Sequence, residues 1–328
     1  MIFVRAPFRI PLGGGGTDLP SYYSKFGGAL ISAAINRYMF ITINRPIVDK
    51  LIRVKYTQTE IVDNVKEIKH DLVREALRLT KIKDSIEINS VADLPAGVGM
   101  GSSGSYTVAL LKALHTLKRE HISDQSLAEE ACKIEIGKLK RFVGKQDQYI
   151  AAFGGITKFK INKNGEVKVR RLVLDPPFIR DLEGSLLIFY TGIRREEAQI
   201  LRRQSIKTKN NDKNVIKNLH QIKAIGKEIG QALVAKDINS FGKLMHKHWM
   251  TKRNLSSAIS SSRIDQLYEL GIKSGAVGGK IMGAGGGGFL LFCCPRNKNR
   301  IRLEMEKQGL TELFFHFDME GAKVIADL

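Results

Sequence analysis

The chain has 328 residues, 43% of them apolar and 26% charged, with a formal net charge of +20. That length can bury a sizeable core in one large domain or two moderate ones, and the composition is that of a soluble globular protein. No apolar run is long enough to span a bilayer. Cys132 stands alone and Cys293 and Cys294 are neighbours, which makes neither a disulfide framework nor a zinc site, so a reducing cytoplasm is the expected compartment. The positive charge raises the question of nucleic acid. Lys and Arg are dispersed along segments with helical apolar periodicity, the pattern of solvated helix faces, so no nucleic-acid partner and no membrane is expected. An anionic substrate with an anionic cofactor accounts for part of the excess.

Ile2 to Arg9 alternates, contains Arg5 and Pro7, and reads as a first strand rather than a leader segment. It runs into four glycines, Gly13 to Gly16, and then Thr17-Asp18. Such a run is costly in chain entropy inside a dense domain and points to close approach of backbone to a ligand. Asp18 would accept hydrogen bonds from ligand hydroxyls, and Arg9 would supply a fixed positive charge. The plainer alternative is a turn in which Asp18 caps a helix over 21–25. Residues 28–45 are strand-like, 52–56 form a further strand, Leu72 to Leu79 have helical spacing, and 86–90 are a strand. Runs of strands with occasional helices suggest an α+β fold.

Asp93 to Ser105 holds four glycines (Gly97, Gly99, Gly101, Gly104) and three serines, and Val108, Leu111, Leu114 and Leu117 follow at helical spacing. A flexible loop that enters a helix N-terminus suits a polyanion, because backbone N–H groups and the helix dipole both face it. The serine hydroxyls can cap the helix or ligate a metal. The loop is not a P-loop. Gly278-Gly279-Lys280 comes nearest to that pattern, but Ile281 stands where a hydroxyl is needed. A dinucleotide reading of Gly99 to Gly104 fails for want of a strand directly before it.

A second helix is expected over 126–140, capped within 123–126 and boxed by Ser126 and Glu129, with Glu135 near its middle. Asp147 follows between Lys145, Gln146 and Gln148. It could orient a hydroxyl and take its proton, or be a cap or surface acid. Asn164-Gly165 marks a hairpin. Residues 185–190 are a strand ending near Arg194 and Arg195, a pair that could bind a phosphate monoester or merely start a solvated helix. Helices follow over 211–235, 240–250 and 262–270, the last stopped by Gly271. His246 and His248 would face different sides, which argues against paired metal ligation. Residues 278–292 read as strand, glycine turn, strand. With five glycines between Met282 and Phe289, the turn must pass very close either to the ligand or to the serine loop. Residues 313–317 and 322–325 read as closing strands.

The three glycine-rich motifs, Pro7 to Asp18, Pro95 to Ser105 and Lys280 to Gly288, together resemble the GHMP small-molecule kinases over essentially the whole chain. The resemblance implies an N-terminal ribosomal-protein-like α+β domain, here 1–180, and a C-terminal ferredoxin-like α+β domain, here 181–328, with ATP and substrate meeting between them. It implies that Gly97 to Ser103 wrap the ATP phosphates, within a nucleotide stretch of Pro95, Gly97, Gly99, Gly101, Ser102, Ser103, Gly104 and Ser105. Ser103 and Glu135 would hold Mg²⁺. Asp147 would be the base, and Arg9 would stabilise the transferring group. Gly15, Gly16, Thr17 and Asp18 would meet the sugar with Gly285 and Gly286, and Arg194 and Arg195 are candidates for a phosphate on it. The four-glycine first motif followed by Thr-Asp looks most like the branch that acts on heptose 7-phosphate. That implies phosphorylation of the anomeric hydroxyl of D-glycero-D-manno-heptose 7-phosphate. Alternatives are fucokinase or another free-sugar 1-kinase, and a non-catalytic sensor on the same fold. A homodimer is compatible with the sequence.

Overall fold

The computed structural model describes residues 1–193, 197–256 and 258–328. The first part of the chain runs β1 (Ile2–Gly13), α1 (Pro20–Phe26), β2 (Gly28–Asn44), β3 (Ile52–Lys55), β4 (Thr59–Val62), α2 (Asp71–Thr80), β5 (Ile86–Ala92), α3 (Ser102–Leu117), α4 (Asp124–Cys132), α5 (Gln146–Phe153), β6 (Ile156–Ile161) and β7 (Val167–Arg171). It continues through α6 (Pro176–Ser185), β8 (Leu186–Tyr190), α7 (Glu197–Lys209), α8 (Lys213–Val234), α9 (Ile238–Arg253), α10 (Ser262–Lys273), β9 (Gly278–Ile281), β10 (Phe289–Cys293), α11 (Lys298–Lys307), β11 (Thr311–Glu312) and β12 (Lys323–Asp327). Among the described residues the strands make two sheets. The larger has the order β12-β1-β2-β5-β3-β4, with β6 pairing β2 and β7; the smaller is β11-β8-β10-β9.

β1 is the spine of the larger sheet. Its alternate residues Val4, Ala6, Phe8, Ile10 and Leu12 are fully buried, and a Phe8→Ala change there would cost about 3–5 kcal/mol. Pro7 and Pro11 have no N–H to give to the ladder, and the β1–β2 register shifts beside each of them. Arg9 sits between these two irregularities, opposite Ala34. α3 packs on β1 and β2, burying Val108, Leu111 and Leu114. α8 also packs on those strands, with Val215, Leu219, Ile222, Ile225, Ile229 and Leu233 at three- and four-residue spacing. Elements from the two ends of the sequence thus share one core. The last strand, β12, pairs with β1, so residues 323–327 belong to the first sheet, and the boundary expected at 180 falls inside α6.

Several local expectations are corrected. The second helix starts two residues earlier than expected, at Asp124, with Ser123 accepting from Ser126 N–H. Glu129 instead accepts from Gln125, so the expected box does not form. Beyond Cys132 this helix widens into a π-turn over Lys133–Lys138. Asp18 does not cap α1, whose preceding residue is Leu19, without a side-chain cap; it accepts the Gln146 N–H at the start of α5 instead. Gly271 does not stop α10. It lies inside the helix because a Cβ there would stand 2.4 Å from the Phe292 ring. Residues 313–317 make no strand, only a bridge from Phe317 to Ile35. All three cysteines are buried free thiols.

Candidate active site

The four-glycine turn divides its work. A Cβ on Gly14 would stand 2.2 Å from the Ala29 carbonyl, so the first half is bare because it is wedged against β2. Gly15 and Gly16 line a cleft together with Asp18. Thr17 points the other way. Its hydroxyl donates toward the Gly14 and Ala29 carbonyls at 2.8 and 3.0 Å and accepts from Ala29 N–H, which staples the turn. Asp18 is 5% exposed, and its two oxygens accept from the N–H groups of Gly16 (2.9 Å) and Gln146 (3.1 Å). Burial raises its pKa, Asp147 raises it further, and the backbone donors oppose both. Gly144 is bare to make room for it, since a Cβ would fall 1.8 Å from Asp18 Oδ2.

α5 distributes three consecutive side chains to three parts of the site. Gln146 holds Asp18 through its N–H and Ser32 through Nε2. Asp147 meets Arg9: Nε donates to Oδ1 at 2.7 Å and Nη2 to Oδ2 at 3.1 Å, a bidentate pair. Gln148 Nε2 donates to Glu135 Oε1 at 2.7 Å. Successive residues on a helix point about 100° apart, which is why one short turn can serve three groups. The cation beside Asp147 is therefore Arg9, from 138 positions away. The neighbouring Lys145 turns aside, donating to the Gly165 carbonyl and lying over the Tyr23 ring.

Arg9 also ties down the serine loop, donating from Nη1 to the Gly99 carbonyl and from its backbone N–H to Met100. Gly101, in the left-handed region, precedes α3, and no side chain caps the helix. The amides of its first turn are left for another acceptor. Gly104 is bare for Asp147, whose Cβ would lie 2.7 Å from an added one. Ser102 and Ser103 line the cleft. Ser105 does not; its hydroxyl is spent on the Pro7 and Gly101 carbonyls. Gly97 is exposed with open space around it, while Pro95 lines a separate apolar groove with Leu94, Val98 and Phe289.

Glu135 sits in the π-turn and is fully buried. Burial pushes its pKa up, with Ser103 and Gln148 pulling the other way. Among the described residues its Oε2 has no hydrogen-bond donor, and Arg141 Nη1 stands 3.7 Å away. Among the described residues no group of three or more His, Cys, Asp or Glu gathers around a common point. A magnesium ion does not need one, because it is commonly held by one or two protein oxygens and completed by phosphate oxygens and water. An orphaned buried carboxylate oxygen beside Ser103 fits that requirement.

The third glycine turn packs against the serine loop. A Cβ on Gly288 would stand 2.3 Å from the Val98 carbonyl. Gly285 and Gly286 pack against Ile259, whose carbonyl takes the Gly286 N–H at 2.8 Å; the part of this turn that reaches the cleft is Gly283 and Ala284. The cleft therefore contains, of the residues singled out in the sequence, Arg9, Gly15, Gly16, Asp18, Gly101, Ser102, Ser103 and Asp147. Arg194 and Arg195 lie outside the described residues. Sequence reasoning missed Gln146, Gln204, His248, Lys252 and Lys280, which also line it. Only Lys280 carried a signal, as a lysine flanked by glycine and apolar residues within a motif.

Family models for the GHMP kinases N terminal domain and the GHMP kinases C terminal match residues 50–155 and 229–310, together more than half of the chain. A D-glycero-alpha-D-manno-heptose 7-phosphate kinase from Campylobacter jejuni is 29% identical, spanning 98% of this chain and 98% of that protein. A bifunctional fucokinase/GDP-fucose pyrophosphorylase from Arabidopsis thaliana is 26% identical over 88% of this chain, which spans 29% of its length. The crystal structure of a D-glycero-D-manno-heptose 1-phosphate kinase from Bacteroides thetaiotaomicron superposes with a TM-score of 0.83 over 100% of both chains at 24% identity, a likeness of fold. The chain belongs to the GHMP kinase family, with that family's two-domain α+β fold, and is a kinase.

Proposed function

We propose that the chain transfers the γ-phosphoryl group of ATP to the anomeric hydroxyl of D-glycero-D-manno-heptose 7-phosphate, giving the 1,7-bisphosphate for cell-surface heptose synthesis. The observation that carries this reading is the Arg9–Asp147 pair, set against the uncapped start of α3 in the same cleft as Asp18. The 29% identity to the Campylobacter jejuni kinase along its whole length supports the choice of sugar.

In this reading Asp18 and the bare edge of Gly15 and Gly16 receive the sugar hydroxyls. Asp147 accepts the proton of the attacking hydroxyl as its oxygen bonds to phosphorus and the bond to the departing ADP oxygen breaks. Arg9 keeps Asp147 oriented. The first-turn amides of α3 face the charge on the phosphoryl oxygens. Ser103 and Glu135 would hold magnesium, which supplies charge neutralisation on the phosphates. The buried free thiols are compatible with a reducing cytoplasm. No helix among the described residues is long and apolar enough to cross a membrane.

A coupled assay of ADP release over a panel of sugars and sugar phosphates tests the proposal. Heptose 7-phosphate should be turned over faster than free heptose, L-fucose or galactose. Equal turnover of heptose with and without its 7-phosphate, or a preference for fucose, would replace it with a free-sugar kinase.

A further inference from the structure

The lining of the cleft includes charge that the phosphoryl-transfer chemistry above does not use. Lys280, on β9, is 2% exposed, and His248, on α9, is 1% exposed. Lys252, one turn further along α9, is also buried. All three line the cleft with Arg9 and Asp18. Lys280 Nζ donates to the Leu12 carbonyl at 3.2 Å, and Lys252 Nζ donates to the Gly283 carbonyl. Neither ring nitrogen of His248 has a hydrogen-bond partner among the described residues. Burial holds the pKa of Lys280 well below its ordinary value, and the like charges of Lys252 and Arg9 add to the effect. Burial acts on His248 in the same direction, aided by Lys280 and Lys252.

A buried ammonium close to other cations is costly, and an unpartnered buried imidazole adds to that cost. A ligand oxyanion reverses the balance, because it offers several strong acceptors and opposite charge in a low-dielectric site. The position of the cluster indicates which anion. Lys280 is tied to Leu12, immediately before the glycine turn that leads to Asp18. Its bonds do not run to the Gly97–Ser103 loop. We infer that Lys280, Lys252 and His248 form the seat of a phosphate group already present on the sugar. This rests on the sugar-phosphate reading of the same site. The same cations could instead serve the terminal phosphoryl group of ATP, and the test separates the two.

Lys280→Met, Lys252→Met and His248→Asn are compared with wild type by kcat/KM for heptose 7-phosphate and for free heptose, by KM for ATP, and by thermal protection with inorganic phosphate. The ratio of the two kcat/KM values should fall about 10- to 100-fold in each lysine variant and by less in His248→Asn. Protection by inorganic phosphate should disappear in the lysine variants. Equal losses on both sugars, or a raised KM for ATP with the ratio unchanged, would overturn the inference. If wild type shows no preference for the phosphorylated sugar, the proposed function fails. Phosphate protection then decides for the seat by itself: lost in the lysine variants it stands, retained it falls. Should Lys280→Met fail to fold, Lys252→Met, at the least deeply buried of the three, gives the same decision.

Discussion

The acidic and the basic groups that line the cleft satisfy their charges in opposite ways. In the acidic set, Asp147 is held on both oxygens by Arg9, and Asp18 on both oxygens by backbone N–H groups. Bare glycines at 104 and 144 give them room. In the basic set Lys280 has a carbonyl for company, His248 has no hydrogen-bond partner among the described residues, and the neighbouring charges are of like sign. The contrast teaches that groups whose bonds close within the protein fix geometry before any ligand arrives, whereas groups with unspent donors define where a ligand's charge belongs. Glu135 combines both roles, with one oxygen held by Gln148 and the other open.

The strongest way to break this comparison is to neutralise the open group. Glu135→Gln should lower kcat about 100-fold if Oε2 holds the metal. Burial raises the folded-state pKa of Glu135 above 4.5, so the folded protein takes up its proton more readily than the unfolded chain. Wild-type stability should therefore fall, relative to the glutamine variant, as pH rises from about 4.5 through the folded pKa. Melting curves of the two proteins over that range, with and without Mg²⁺, check both parts. Mg²⁺ should raise the wild-type Tm and leave the variant unmoved; identical pH profiles would show that the buried carboxylate carries no such cost.

Gly104→Ala tests the room made for Asp147. An added Cβ meets the Asp147 backbone as well as its side chain, so relief cannot come from a rotamer change alone. A loss of about 1–3 kcal/mol in denaturant unfolding should accompany a fall in kcat. A variant as stable and active as wild type would mean that the glycine is bare for another reason. The smallest effect belongs to Ser105→Ala. Its hydroxyl is spent on carbonyls of Pro7 and Gly101, so stability should drop by about 1–2 kcal/mol with kcat unchanged, in contrast to a fall in kcat for Ser103→Ala.

The acidic set was largely legible from sequence because its parts are local and stereotyped. Glycine runs, a serine loop before a helix, and an acid in a polar cluster all announce themselves within a few residues. The reasons were less legible. Gly104 read as ligand-facing, yet the atoms that exclude a side chain there belong to Asp147 and Gln148. Lys145 was the obvious cation for Asp147 by adjacency, and Arg9 took the place through β1. Thr17 and Ser105 looked like ligand contacts, but their hydroxyls tie backbone to backbone. The basic set was hidden because burial of His248 and Lys280 is created by packing of α9 against β9 and β1, and no short stretch of sequence encodes that. The fold was legible as α+β. The return of β12 to β1 and the π-turn under Glu135 were not, since strand pairing across the whole chain and a single wide helical turn leave no local pattern.

The claim on which the account depends is that Asp147, fixed by Arg9, handles the proton of the attacking hydroxyl. Asp147→Asn measures it most directly, because the amide keeps an acceptor for Arg9 while removing the base. With ATP and heptose 7-phosphate saturating, kcat for ADP formation should fall at least about 100-fold in a protein that is still folded at the assay temperature, with a lowered Tm because the amide returns only one of the two acceptors that Arg9 uses. An unchanged kcat in a fully folded variant would contradict the account.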